Sequence, residues 1–325
     1  MVFKNQLINI FLEIKIIRTT FLSIYIYIYT MTSLSNNIIE ITGNIKYNTY
    51  FSKNYCYVII GEVHVVEGIT LTVENNVVIQ IRNGNSTTSS LNKSALIFDT
   101  GSSLVLEYNV YFVACDENNE RTTIPDNGGI WFVGSMSNST KEGIQSRFSA
   151  TESNFTGNKI FAFYLGSKDP NVSSNKTEPS ADNDGITMLG VGNNEWNISD
   201  IFIQESGDNA IDIVDSYITI NSVEILYPGE DGINLQGGKI NIIKYLKILV
   251  YLTNVYDRDI FDLEMNNGYP YIRIEKGCYV EIIGIFGDQL DLVSNDLPQP
   301  TENLYNYNGI TVNGQSYIYS GIFIN

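Results

Sequence analysis

Six short segments of this chain share one pattern: an Asp or Asn, one further residue, then an apolar–any–apolar triplet. They begin at Asp184 (DGITM), Asn209 (NAIDI), Asp231 (DGINL), Asp259 (DIFDL), Asp288 (DQLDL) and Asn308 (NGITV). The triplets start at Ile186, Ile211, Ile233, Phe261, Leu290 and Ile310, in steps of 25, 22, 28, 29 and 20 residues. A repeat of this length whose shared element is a short strand suits a stacked β-coil, where each turn buries its apolar positions only against its neighbours. The varying steps place insertions in the connections. The strand itself is kept.

A second strand precedes the first by ten residues: Ile201-Phe202-Ile203 before Ile211, Val223-Glu224-Ile225 before Ile233, and Val280-Glu281-Ile282 before Leu290. A constant offset predicts two sheets in register. Parallel strands about 4.8 Å apart then put the six triplet-starting residues in one buried column. Upstream, from Tyr57 to Cys115, the apolar runs VII, VHVV, ITLTV, VVIQI, ALIF, SLVLEY and YFVAC are short, β-branched and bounded by turn residues, so they read as strands. No helical periodicity competes after residue 30. Residues 134–184 turn Ser/Asn/Thr-rich and read as long loops thrown out from the stack. The fold class expected is all-β: a single-stranded, right-handed parallel β-helix of about twelve coils over residues 31–325.

The charge is as uneven as the repeat is regular. The net charge is −17 from 19 Lys/Arg and 36 Asp/Glu, and residues 181–300 hold 20 acids against 6 bases. So acidic a surface repels phosphate backbones, which argues against nucleic acid as a partner. Cys56, Cys115 and Cys278 have no metal-type spacing and cannot all pair with one another. Phosphate-binding glycine loops, zinc motifs, nucleophile elbows and dinucleotide fingerprints are all missing from the sequence, so no cofactor is expected.

The DGI-type strands, together with GEVHVVEGITLTVENNVVIQI, ALIFDTGSSLVLEY and GGIWFVGS, resemble the parallel β-helix repeat of the pectin-lyase-like proteins over about residues 57–312. Within that group the pair NAIDI and GEDGINL is distantly similar to polygalacturonases. That resemblance implies a carboxylate at the position of Asn209, paired acids at Glu230 and Asp231, a His at Asp259, and an Arg-x-Lys pair one coil later. The chain departs from it at Asn209 and Asp259. Arg273-Ile274-Glu275-Lys276 follows Asp259 by 14 residues, too soon for the next equivalent strand, and His64 lies near the other end. An inverting hydrolase needs one acid for the leaving oxygen and a second carboxylate to activate water. If the chain is an enzyme, the candidates are Glu230 as acid with Asp231 or Asp259 as partner, acting as a glycoside hydrolase or polysaccharide lyase.

The Asp/Asn column also has a structural role open to it, because short polar side chains at tight turns bond local backbone N–H groups and stack into ladders. The outward triplet positions Asp212, Asn234, Asp262 and Asp291 offer a different chemistry. Carboxylates about 5 Å apart on neighbouring strands raise one another's pKa or recruit a cation. Asp212, Asp262 and Asp291 are therefore the candidate metal ligands, with Ca²⁺ the ion that suits oxygen donors. Tyr305, Tyr307, Tyr317 and Tyr319 near the C-terminus either cap the last coil or stack on sugars.

Residues 1–30 differ from the rest, with Lys4, Lys15 and Arg18 scattered through apolar sequence before FLSIYIYIY. They read as a signal or membrane anchor, as a dispensable extension ahead of Met31, or as an ordered cap. A membrane contact is expected only through this segment. Sequons stand at Asn85, Asn92, Asn138, Asn154, Asn171, Asn175 and Asn197. The abundance of Ile, Asn and Tyr fits an A/T-rich coding sequence, as in amoebae or their large DNA viruses. The expectation is a structural or surface-binding protein of a virion or cell surface that contacts glycans or protein surfaces and is open to oligomerisation.

Overall fold

A computed structural model describes residues 37–84, 93–135, 150–167, 183–250, 259–264, 270–275, 278–285, 310–312, 315–317 and 322–324. Over these residues the protein is all-β, with 21 strands and no helix. All are joined in one continuous sheet whose pairings are parallel except for two short contacts near the C-terminus. The sheet turns nearly round an axis, giving a solenoid-like architecture. Its pairings fall into three ladders, which we call faces A, B and C.

Face A carries the repeat. Strands Glu62–Val65, Ala95–Phe98, Ile130–Val133 and Ile186–Leu189 lead into 211–214, 233–236 and Phe261–Glu264. Ile186 pairs with Ile211, Ile211 with Ile233 and Ile233 with Phe261, so this part of the expected column forms. It extends upstream through Ile130, Leu96 and Val63. All seven side chains are fully buried. Leu290 lies outside the described residues. Ile310 does not join the column; it pairs with Ile272 on face B. The Asn-Gly dipeptide that precedes Ile310 in the sequence is a turn signal that does not specify a face, because it serves any tight turn that needs positive φ.

Face C holds the strands ten residues ahead. Its inward column runs Tyr57, Ile79, Phe112, Ala162, Ile203, Ile225 and Ile248, each paired with the next. Face B, which the two-sheet expectation lacked, lies between A and C along the chain. Its inward side chains are Leu71, Leu104, Phe155 and Trp196, then Ile218, Ile240 and Ile272. In Ile211–Leu226 and Ile233–Leu249 a single strand crosses all three faces. The bends between A and B are taken up by Asp215 at φ 46° and by Gly237 and Gly238 at 75° and 84°. At the corner from C to A, Tyr164, Glu205 and Tyr227 occupy the left-handed region at φ 57°, 52° and 55°, and each donates its N–H to the neighbouring strand: Tyr164 to Gln204, Glu205 to Leu226 and Tyr227 to Leu249. Within the 134–184 stretch read as loops, Asn154–Phe163 is a strand belonging to faces B and C.

Inside the three faces the side chains of successive levels lie one over another in a single apolar cluster. The rings of Phe98 and Phe132 stack at 5.3 Å, and Trp196 meets Phe132 edge-on at 5.1 Å. A second cluster covers the outside of face C. There Val78, Tyr111, Phe161 and Phe202 form one outward column, which continues as Glu224, Lys247 and Glu281.

Candidate functional site

Four of the Asp/Asn positions of the repeat, Asp184, Asn209, Asp231 and Asp259, meet at the corner where the chain enters face A, while Asp288 and Asn308 lie outside the described residues. Gly232 N–H donates to the Asp259 carbonyl, Ala210 N–H to Asp231 and Gly185 N–H to Asn209, so the turns themselves are laddered. The side chains add a second ladder. Asn209 Oδ1 accepts the Asp231 N–H at 3.1 Å, and Asp231 Oδ1 accepts the Asp259 N–H at 2.6 Å. Asn209, Asp231 and Asp259 are buried, while Glu230 is half-buried. At the next level up, Asp184 Oδ2 accepts from Thr187 Oγ1 at 3.1 Å. Asn127, which lay outside the six segments, does related work: its Oδ1 accepts from Gly129 N and Gly166 N. The GG pair following it is the signal that could have found it.

Charge accumulates at this corner. Burial pushes the Asp231 carboxyl well above the usual carboxylate range, and the negative charges of Asp262, Glu230 and Asp259 push the same way against the hydrogen bond from Asp259 N–H. Burial likewise raises Asp184 to about 7, with Glu230 adding to the rise, although hydrogen bonds from Thr187 and Asn209 oppose it. Such upward tuning of carboxyls is shared by general acids and by crowded structural acids. The structure thus brings Glu230, Asp231 and Asp259 into one neighbourhood with Asp184. One oxygen of Asp231 is committed to the backbone of the next level.

The candidate metal positions lie on the outer side of face A. Asp212 pairs in register with Asn234 and Asn234 with Asp262, so the two acids are separated by an amide. Asp291 lies outside the described residues. Among the described residues no three His, Cys, Asp or Glu side chains are grouped as a metal site. His64 sits on face A near its first level, its Nδ1 2.9 Å from Asp99 Oδ1. Arg273 Nε is 2.9 Å from Glu275 Oε1, on face B. The histidine and arginine are therefore apart from the acidic corner. Cys56, Cys115 and Cys278 are free and buried, and burial raises their thiols to about 11, 12 and 11.

Two features were missed at the level of sequence. Glu195 is buried, yet its carboxylate accepts from Ser153 N (3.0 Å), Ser135 N (3.0 Å), Gly192 N (2.8 Å) and the Ser135 hydroxyl. It ties together three separate stretches of chain. Tyr217, Lys239 and Tyr271 form an outward column on face B, with Lys239 Nζ 5.2 Å from the centre of the Tyr271 ring. Tyr residues near the C-terminus drew attention because they are clustered in sequence; these are not.

No family model, curated protein or solved structure matches the chain.

Proposed function

We propose that this protein is a non-catalytic structural or surface-binding β-solenoid, a component of a virion or cell surface that contacts glycans. Its finer architecture on this reading is a right-handed, single-stranded, pectin-lyase-like β-helix of about twelve coils. The observation that carries the proposal is the hydrogen bond from Asp259 N–H to Asp231 Oδ1. It engages a candidate catalytic carboxylate in holding one turn to the next, in a corner where Asn209 stands in place of a further acid. A scaffold gains from such a ladder, since buried backbone donors that lack partners are costly.

Incubation with a panel of neutral and uronic-acid polysaccharides, followed by a reducing-end assay, is the direct test. No release above buffer is expected from the wild-type protein. Protease stripping of intact particles or cells should also release the chain; recovery solely as free cytoplasmic protein would defeat the surface role.

A second function draws on the raised Asp231 and Asp184 carboxyls, because perturbed acids concentrate at active sites. On this alternative the chain degrades polysaccharide, with Glu230 as acid and Asp231 or Asp259 as partner. Reducing ends formed by the wild type and lost in Glu230→Gln would establish it.

A further inference from the structure

Face B has an unusual outer surface for so acidic a protein. The triplets of its strands centre on one buried apolar residue at each level: TLT at 70–72, SLV at 103–105, NFT at 154–156, EWN at 195–197, YIT at 217–219, KIN at 239–241 and YIR at 271–273. In a chain with 36 acids, Glu195 is the one acid among these positions, and it is buried with its carboxylate held by backbone N–H groups. Carboxylates crowd the entry to face A, whereas on this face Glu195 is buried and Glu275 is paired with Arg273. Its cations, by contrast, are gathered at the later levels, at Lys239 and Arg273.

Those later levels also carry the rings. Tyr217, Lys239 and Tyr271 are consecutive in register, so the two tyrosines stand about 10 Å apart along the stacking axis. Tyr217 is 43% exposed. Lys239 lies over the Tyr271 ring and makes no ion pair among the described residues, whereas Arg273 is engaged by Glu275. Beside this column Asn241 Nδ2 donates to Thr219 Oγ1 at 3.3 Å, giving a flat amide and hydroxyl border. Aromatic rings present apolar faces to the C–H side of a sugar. A cation next to them selects negative charge.

We propose that face B between Tyr217 and Arg273 binds an anionic polysaccharide laid along the stacking axis, with Tyr217 and Tyr271 against sugar rings and Lys239 on a carboxylate or sulfate. This rests on the surface-binding function proposed above and gives it a location and a ligand class. With Glu195 buried and Glu275 paired to Arg273, this face repels such a polymer less than the acidic corner of face A does.

Affinity electrophoresis of the full chain through gels containing heparin, alginate or dextran tests it. Heparin or alginate should retard the protein and dextran should not, and whichever acidic polymer acts more strongly identifies sulfate or carboxylate as the preferred group. Lys239→Ala and Tyr271→Ala should each weaken retardation roughly fivefold, with unchanged melting temperatures, and Lys239→Arg should retain it. Equal retardation by dextran overturns the proposal. So does acidic-glycan binding that survives both alanine substitutions, which would move the contact to another face and leave the surface role intact. Failure to bind any of the three polymers, by protein that still attaches to intact particles or cells, overturns this inference alone.

Discussion

The Asp231 carboxylate accepts the backbone N–H of Asp259 at 2.6 Å, joining two levels of the solenoid through a side chain that burial and three neighbouring acids would rather keep protonated. Its two functions, acceptor and charge, can be separated by substitution. Asp231→Asn keeps an oxygen acceptor and removes the charge facing Glu230, Asp259 and Asp262, so it should be neutral or stabilising at pH 8. Asp231→Ala leaves the buried Asp259 N–H without its partner and should cost about 1–3 kcal/mol. Urea denaturation of both variants decides it, and equal losses would show that the charge, not the acceptor, is what the fold requires.

Asp184 gives the corner a pH dependence with a definite sign. Its folded pKa, about 7, lies above that of the unfolded chain. Its contribution to stability is therefore fully present below the unfolded carboxylate pKa near 4 and is lost as pH rises through about 7. Asp184→Asn should flatten the fall in melting temperature between pH 5 and pH 8. A slope unchanged by the substitution would place the titrating group elsewhere.

Glu195 holds Ser135, Ser153 and Gly192 through charged hydrogen bonds made inside the protein. Glu195→Ala would strand three backbone donors and is expected to cost about 3 kcal/mol or more, since each buried unsatisfied donor carries its own penalty. Glu195→Gln should fall between, because its NH₂ group cannot accept. Thermal melts ranked wild type, Gln, Ala would support the clamp; a silent alanine variant would refute it.

How much of this was legible in the sequence depended on whether a corner leaves a mark. Asp184, Asn209, Asp231 and Asp259 stand where a backbone turn must be satisfied by a short polar side chain, and that requirement exposed face A and its column through Phe261. Face C followed from the fixed spacing of Ile201, Val223 and Val280. Face B stayed hidden because the chain reaches it inside uninterrupted strands: IDIVDSYITINSVEIL gives no break at Asp215, which bends the backbone while ranking as an ordinary strand residue. The pairing of Ile310 with Ile272 was misjudged for the converse reason, a turn signal with no information about its level. Glu195 carries no sequence signal at all, since its partners come from residues up to 60 positions away.

The buried column predicts its own sensitivity. Ile233 is fully buried between Ile211 and Phe261, and neighbouring levels cannot close on a gap without breaking ladder register. Ile233→Ala should cost about 2–5 kcal/mol, and Ile233→Val about 1 kcal/mol. Chemical denaturation midpoints measure both, and a loss for alanine no larger than for valine would mean that the column is not continuous there.

On the outer side of face C, Lys247 stands in register between Glu224 and Glu281, buried, with its Nζ 3.3 Å from Glu281 Oε2. Burial raises the Glu224 carboxyl, and the positive charges of Lys247 and Lys159 oppose that rise. Replacing Lys247 by Met preserves much of the side-chain volume but deprives two carboxylates of their common cation, a change expected to cost about 3 kcal/mol at pH 7, at the low end for a buried pair because Glu281 remains partly solvated. Without Lys247 the Glu224 carboxyl moves further up, so its charged form is the one penalised. The deficit should shrink as pH falls and protons neutralise Glu224, the opposite of what loss of apolar packing would give. Melting temperatures of wild type and Lys247→Met compared at pH 5 and pH 7 measure the difference directly; a deficit independent of pH would show that Lys247 serves face C through its methylene chain rather than its charge.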